Sequence, residues 1–176
     1  MYNECVEFWE AYALSDLWNY IIVFFISMVP LIELRGSVLY AAGVGLNPFI
    51  ALGIAVLGNM LPVPIIYLFA RRVLVWGKDK KFIGKFFTWC YEKGEKGGKK
   101  LTAKAGRGVF VALLLFVGIP LPGTGAWTGT LAASFLDFGF KKSTIAVLLG
   151  VLLAGVIMTV GSLLAVMGVT SIFQFF

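Results

Sequence analysis

At 176 residues the chain has the size of one domain, yet it is 60% hydrophobic and only 14% charged. Soluble domains carry about a quarter charged residues, so this composition excludes a chain that faces water all round. Sixteen Phe and 21 Gly point instead to closely packed helices in a membrane. There is no histidine, and Cys5 and Cys90 lack metal-ligand spacing. Zinc chemistry and a Ser-His-Asp triad are thereby excluded, and no metal, cofactor, enzymatic activity or nucleic-acid partner is expected.

Residues 1–16 carry Glu4, Glu7, Glu10 and Asp16 but no Lys or Arg. A cleavable signal peptide needs a basic leading segment, so none is expected here. The first apolar block then runs from about Leu17 to Leu46 and is interrupted by Pro30, Glu33, Arg35 and Gly36. The second runs from about Pro48 to Trp76 and contains Gly58-Asn59 and Pro62-x-Pro64. It is long enough to cross a bilayer core of about 30 Å once. The two prolines should distort it.

A basic stretch follows. Residues 71–107 hold 12 of the 15 Lys and Arg of the chain against three acids. The positive-inside rule places this loop in the cytoplasm, with the termini outside a plasma (cytoplasmic) membrane. Within it, 79–92 has helical periodicity. Phe82, Phe86 and Trp89 share one face and Lys81, Lys85 and Glu92 another. The pattern predicts a basic amphipathic helix, either lying on the leaflet or capping the bundle. Residues 93–100 read as a Gly-rich connector.

The third apolar block, about Val109 to Phe138, is broken at Ile119-Pro120-Leu121-Pro122-Gly123-Thr124-Gly125. It leaves the cytoplasmic loop and ends beside Lys141 and Lys142. A simple span would strand that lysine pair outside, whereas a hairpin turning at the Pro/Gly cluster returns it to the cytoplasm. Each arm of about 12 residues would reach about 18 Å, past the midplane. Irregular backbone at that depth survives only when buried in protein or lining a cavity. The fourth block, about Ser143 to Phe176, then crosses outward.

An internal repeat supports the same reading. A shift of about 90 residues lays Pro30-Leu31 on Pro120-Leu121, Ala42 on Ala132 and Leu46-Asn47 on Leu136-Asp137. One residue further on, Ile54-Ala55-Val56-Leu57 falls on Ile145-Ala146-Val147-Leu148. The expected fold is therefore an all-α integral membrane protein. Residues 1–176 form a single membrane domain: repeat one over about 17–76, a basic linker over about 77–107 and repeat two over about 108–176. The two repeats are inverted, each with a re-entrant helical hairpin.

Two breaks can carry chemistry. Glu33 and Arg35 are ionisable groups at membrane depth, which are costly and mostly functional. A coupling proton on Glu33 is one expectation, and neutralisation by Arg35 that merely fixes the turn is the other. Pro120 and Pro122 stop a helix. Gly123 and Gly125 permit sharp turns, Thr124 is a candidate N-cap, and Trp127 follows it. The free N–H groups there suit an anionic group, which Arg35 would help to hold, unless the break is a purely structural kink. Gly36 lies in the first break. Asn59 is polar at membrane depth and reads more readily as helix glue than as a cavity group.

Pro30-Leu31-Ile32-Glu33-Leu34-Arg35-Gly36, Leu57-Gly58-Asn59-Met60-Leu61-Pro62-Val63-Pro64 and the run 119–129 resemble the signature segments of the small multidrug export protein family. That family looks like a distant branch of the DedA/VTT superfamily. The resemblance implies two facing re-entrant hairpins and the movement of lipid-linked or phospholipid substrates. Together with the residues it predicts a secondary transporter or flippase for a small amphipathic or anionic substrate, surrounded by membrane lipids. The competing expectations are a small efflux protein for hydrophobic cations and a non-transporting scaffold or assembly factor. The strong Lys/Arg asymmetry argues against insertion in both orientations. The oligomeric state stays open, with a homo-oligomer among the options.

Overall fold

A computed structural model describes residues 2–78, 85, 88, 108–121, 123–136 and 138–173. The expected amphipathic helix over 79–92, apart from positions 85 and 88, and the connector after it lie outside the described residues. So do Pro122 and Cys90. The described residues form helices and no strands: α1 (Tyr2–Met28), α2 (Glu33–Gly43), α3 (Pro48–Met60), α4 (Pro62–Lys78), α5 (Val109–Gly118), α6 (Ala126–Phe135) and α7 (Phe140–Phe173).

The sequence punctuates these elements. Pro30 follows the end of α1, and the chain reverses through Leu31 and Glu33, both at positive φ (73° and 50°). Such φ values are uncommon for residues with a Cβ and are held here by the surrounding structure. Asn47 caps α3, its Oδ1 accepting from Phe49 and Ile50 N–H at 3.0 and 3.3 Å, and Pro48 occupies the first helical turn. Only the single turn residue Leu61 separates α3 from α4, so the Pro62-x-Pro64 pair interrupts the second block without redirecting it. Helix α1 starts at Tyr2, earlier than the apolar block does, because its first turns are acidic but still helical.

Both broken blocks fold back on themselves. Tyr40 Oη donates to Asn19 Oδ1 at 2.8 Å, which fixes α2 antiparallel to α1. In the second, Gly129 packs on Val117, with Leu113 Cδ1 3.5 Å from where a Cβ would stand, so α6 runs back along α5. Close helix contacts rest on missing side chains. Gly58 of α3 lies against Phe24 and Ser27 of α1, and Gly150 of α7 lies against Leu114 and Val117 of α5. The first-helix partners are 90 residues apart and the glycines 92. Helix α2 packs on both α3 and α7, and α6 on both α7 and α4.

Large apolar side chains face outward, among them Phe25, Phe49, Leu57, Ile65, Leu164 and Met167, whereas Ser27, Ser37, Asn59, Thr130 and Ser143 are buried. An apolar surface of this extent is suited to lipid and not to water. Pro48–Phe69 and Phe140–Gly168 are each long and apolar enough to cross a bilayer.

Candidate functional site

The two breaks meet. Glu33 opens α2 and is 6% exposed. Its carboxyl group reaches the start of α6, where Oε2 accepts from Ala126 N–H at 3.2 Å and Oε1 from Trp127 N–H at 3.0 Å. The first turn of a helix has N–H groups without intrahelical partners and a partial positive charge, so a carboxylate satisfies both needs. Gly125 makes this approach possible. A Cβ at position 125 would overlap the Glu33 carboxyl group and come within 2.6 Å of its Cδ.

Arg35 reaches the other half of the same break. Its Nη1 donates to Leu121 O, and its Nη2 donates to Ile119 O at 3.3 Å and to Thr124 Oγ1 at 2.9 Å. Pro120 places these acceptors. Ile119 has the extended backbone expected before a proline (φ −81°, ψ 119°). Its carbonyl therefore leaves α5 and is free to accept. The Thr124 hydroxyl lies 3.0 Å from Ile119 O and 2.9 Å from Leu121 O, which closes the loop around the guanidinium. Gly123 turns the chain at φ 80° with open space around it. The result is a reciprocal latch. The carboxylate sits on the amide end that begins α6, and the guanidinium sits on the carbonyls that follow α5.

Several sequence expectations find their place here, some with altered roles. Glu33 and Arg35 do reach the second break. They diverge onto its two ends, and each finds backbone partners 84 to 94 residues away. Thr124 is not the N-cap: Gly125 holds that position without a side-chain cap, and the cap is supplied by Glu33 from another helix. The N–H groups that suited an external anion are occupied by that carboxylate. Trp127 contributes its backbone N–H, while its indole Nε1 is buried without a partner among the described residues. Gly36 stands against Ile32, whose Cγ2 a Cβ would overlap, so it serves the turn and not the latch. Asn59 is buried at 2% exposure, and its Oδ1 has no partner among the described residues.

The breaks do not line a roomy chamber. The space between Glu33, Arg35, Asn59 and Gly125 is about 10 Å³. A larger cavity, about 210 Å³, lies elsewhere, between the end of α2, the start of α3 and the distal half of α7. Its lining has no charged residue; of its two buried hydroxyls, that of Ser162 donates to Thr159 O, and Thr159 Oγ1 has no partner among the described residues. This cavity gave no sequence signal, because it is formed by small residues (Ala41, Ala42, Gly45, Ala51) that read as ordinary helix packing. Among the described residues no group of His, Cys, Asp and Glu could hold a metal ion.

A lipid-suited outer surface, two helices of membrane length and two broken helix pairs joined through Glu33 and Arg35 define a helical membrane protein. The chain belongs to the family described as "Putative small multi-drug export protein", whose model matches residues 33–157. No curated protein and no solved structure matches it.

Proposed function

We propose that this chain is a membrane transporter, not an enzyme, in which the Glu33–Arg35 latch is the gate. The observation that carries the reading is a buried carboxylate, Glu33, and a half-buried guanidinium, Arg35, that bind not each other but the two backbone ends of the opposite break. A scaffold gains little from buried charges, whose desolvation is costly. A gate gains two alternative states. Protonating Glu33 would turn one acceptor oxygen into a hydroxyl, which cannot accept as before from both amides. The α6 N-terminus and Arg35 would then be open to an anionic group on the cargo.

The inverted-repeat architecture is part of this proposal. It is supported by the matched glycine contacts of α1 with α3 and α5 with α7, and by the exchanged packing of α2 on α7 and α6 on α4. In that arrangement the two breaks are re-entrant hairpin tips that meet near the membrane centre. The chain is multi-pass, with the basic 71–107 loop cytoplasmic and the termini outside. The proposed cargo is small and amphipathic or anionic, a lipid phosphate included. The family description favours a second cargo, a hydrophobic cation, for which Glu33 would be the counter-charge.

Proteoliposomes holding the purified chain test this. A fluorescent phosphate-headgroup lipid and ethidium are followed in parallel under an imposed pH gradient. Movement of one probe by the wild type, and its loss in Glu33→Gln and Arg35→Ala protein that still inserts, is the expected result. Equal flux in wild type and both variants would overturn the gate.

A further inference from the structure

Asn59 is a polar residue beside the latch that the latch leaves unexplained. It sits near the end of α3, it is 2% exposed, and its Oδ1 has no hydrogen-bond partner among the described residues. Such an acceptor is costly to bury and calls for a donor. Asn59 lines the same small space as Glu33 and Arg35, and the rest of that lining is glycine and apolar side chains of α2, α5, α6 and α7. The space measures about 10 Å³, close to the roughly 10–15 Å³ that one water molecule needs.

We propose that this space is a built site for a single water that joins Asn59 to the Glu33 carboxylate. The hydrogen-bond count supports one water. Each carboxylate oxygen has accepted one amide and has capacity for another donor. The water donates once to Glu33 and once to Asn59 Oδ1. Arg35 uses its Nη atoms on Ile119, Leu121 and Thr124 and still has N–H groups to give. Three bonds is the usual complement of a buried water. A bare metal cation fits less well. Of the lining side chains, those that offer oxygens are the Glu33 carboxylate, already engaged by two amides, and the Asn59 amide. Asn59 is thus a positioning residue. It holds the water, and the water is the group through which a proton reaches or leaves Glu33. The site stands on the latch geometry and does not depend on the transport reading.

Infrared difference spectra taken on a pH jump, with the purified full chain in ordinary water and in water labelled with oxygen-18, provide the test. Glu33→Gln identifies the bands that report Glu33. The wild type should show a sharp O–H band that moves with the oxygen label and disappears in Glu33→Gln. Asn59→Leu, which has similar size and no acceptor, should lose that band and slow hydrogen–deuterium exchange at the Glu33 carboxyl about tenfold, as expected for one lost hydrogen bond. Asn59→Ser keeps a polar group and more room, and should keep the band. Should Asn59→Leu fail to fold, the wild-type and Asn59→Ser spectra still decide. An unchanged label-sensitive band in Asn59→Leu, or none in folded wild type, overturns the proposal. So does a melting temperature raised by sodium but not by potassium, which would mark a cation site. Equal flux in wild type, Glu33→Gln and Arg35→Ala, with the water band present in the wild type, would count against the gate alone.

Discussion

Among the described glycines, Gly125 makes the closest approach to another side chain, that of Glu33. The carboxylate lies where a side chain at 125 would have to go. Gly125 is extended (φ 163°), a conformation open to any residue, so its need is for space and not for backbone freedom. Gly125→Ala should therefore unseat the carboxylate from Ala126 and Trp127. The cost should be about 2 kcal/mol or more, since hydrogen bonds to charged groups contribute about 1.5–3 kcal/mol. Thermal unfolding in detergent measures it. Gly123→Ala is the comparison: open space but φ 80°, so a strain of about 1–2 kcal/mol with the latch unaltered. Glu33→Gln preserves shape, yet its amide group would point an N–H at an N–H. It should lower stability by about 2 kcal/mol, as well as transport. Arg35→Lys should cost less than Arg35→Ala, because an ammonium can still bond one of the three oxygens but cannot fork across them. Sequence alone showed that both charges sit at breaks. It could not show that each bonds the opposite break and not the other charge. Two residues apart in sequence, they diverge at a turn where Glu33 takes φ 50°, and nothing in local periodicity predicts that value.

Among the helices, glycine placement separates contact from permissiveness. Gly58 has Phe24 O within 2.5 Å of where a Cβ would stand, with Ser27 Oγ closer still, whereas Gly161 in α7 has nothing within 4 Å. Gly58→Ala should push α1 from α3 and destabilise, because the obstacle is backbone and cannot move aside. Gly161→Ala should stabilise by about 0.5–1 kcal/mol through helix propensity alone. Melting temperatures of the two variants give the sign of each effect. If Gly150→Ala behaves like Gly58→Ala, the paired roles of those glycines stand, since Gly150 faces Leu114 O at 2.7 Å. The positions of the element ends were largely legible: Pro30, Asn47-Pro48, Pro62 and Pro120 all mark boundaries. The Thr124 cap was misread for a physical reason. A local hydroxyl is the usual cap, but here a carboxylate from a distant helix outcompetes it and frees Thr124 to bind Arg35. No local pattern encodes a cap that arrives from 93 residues away.

At the scale of the whole molecule, Gly58 lies on Phe24 and Ser27, and Gly150 lies on Leu114 and Val117, two contacts whose members stand 90 to 92 residues apart. What composition could not supply is the closeness of the two breaks. They meet with about 10 Å³ between them, and the larger free volume is lined by no charged residue. If the halves are inverted, sidedness follows. The 29 residues of Phe140–Gly168 extend about 43 Å as a helix, enough to cross the roughly 30 Å core with both ends free. The Lys141 end should then lie on the side of the basic loop. The turn at Val44, which lies by the distal half of α7 across the 210 Å³ cavity, should lie on the opposite side. Single cysteines at 44 and 141 in a chain with Cys5 and Cys90 replaced by serine test this. Val44 is exposed and at ordinary φ, so Val44→Cys should leave the turn intact. A membrane-impermeant maleimide applied to sealed, outward-facing cells should label Val44→Cys and not Lys141→Cys, and permeabilisation should expose the second. Labelling of both positions from outside would mean that α5 and α6 together span the membrane. The two halves would then be parallel, and the meeting of Glu33 with α6 would need a different membrane frame. Labelling of 141 alone would reverse the whole assignment while leaving the latch unaltered. The latch is a fact of packing, whereas the sidedness rests on where the basic loop lies.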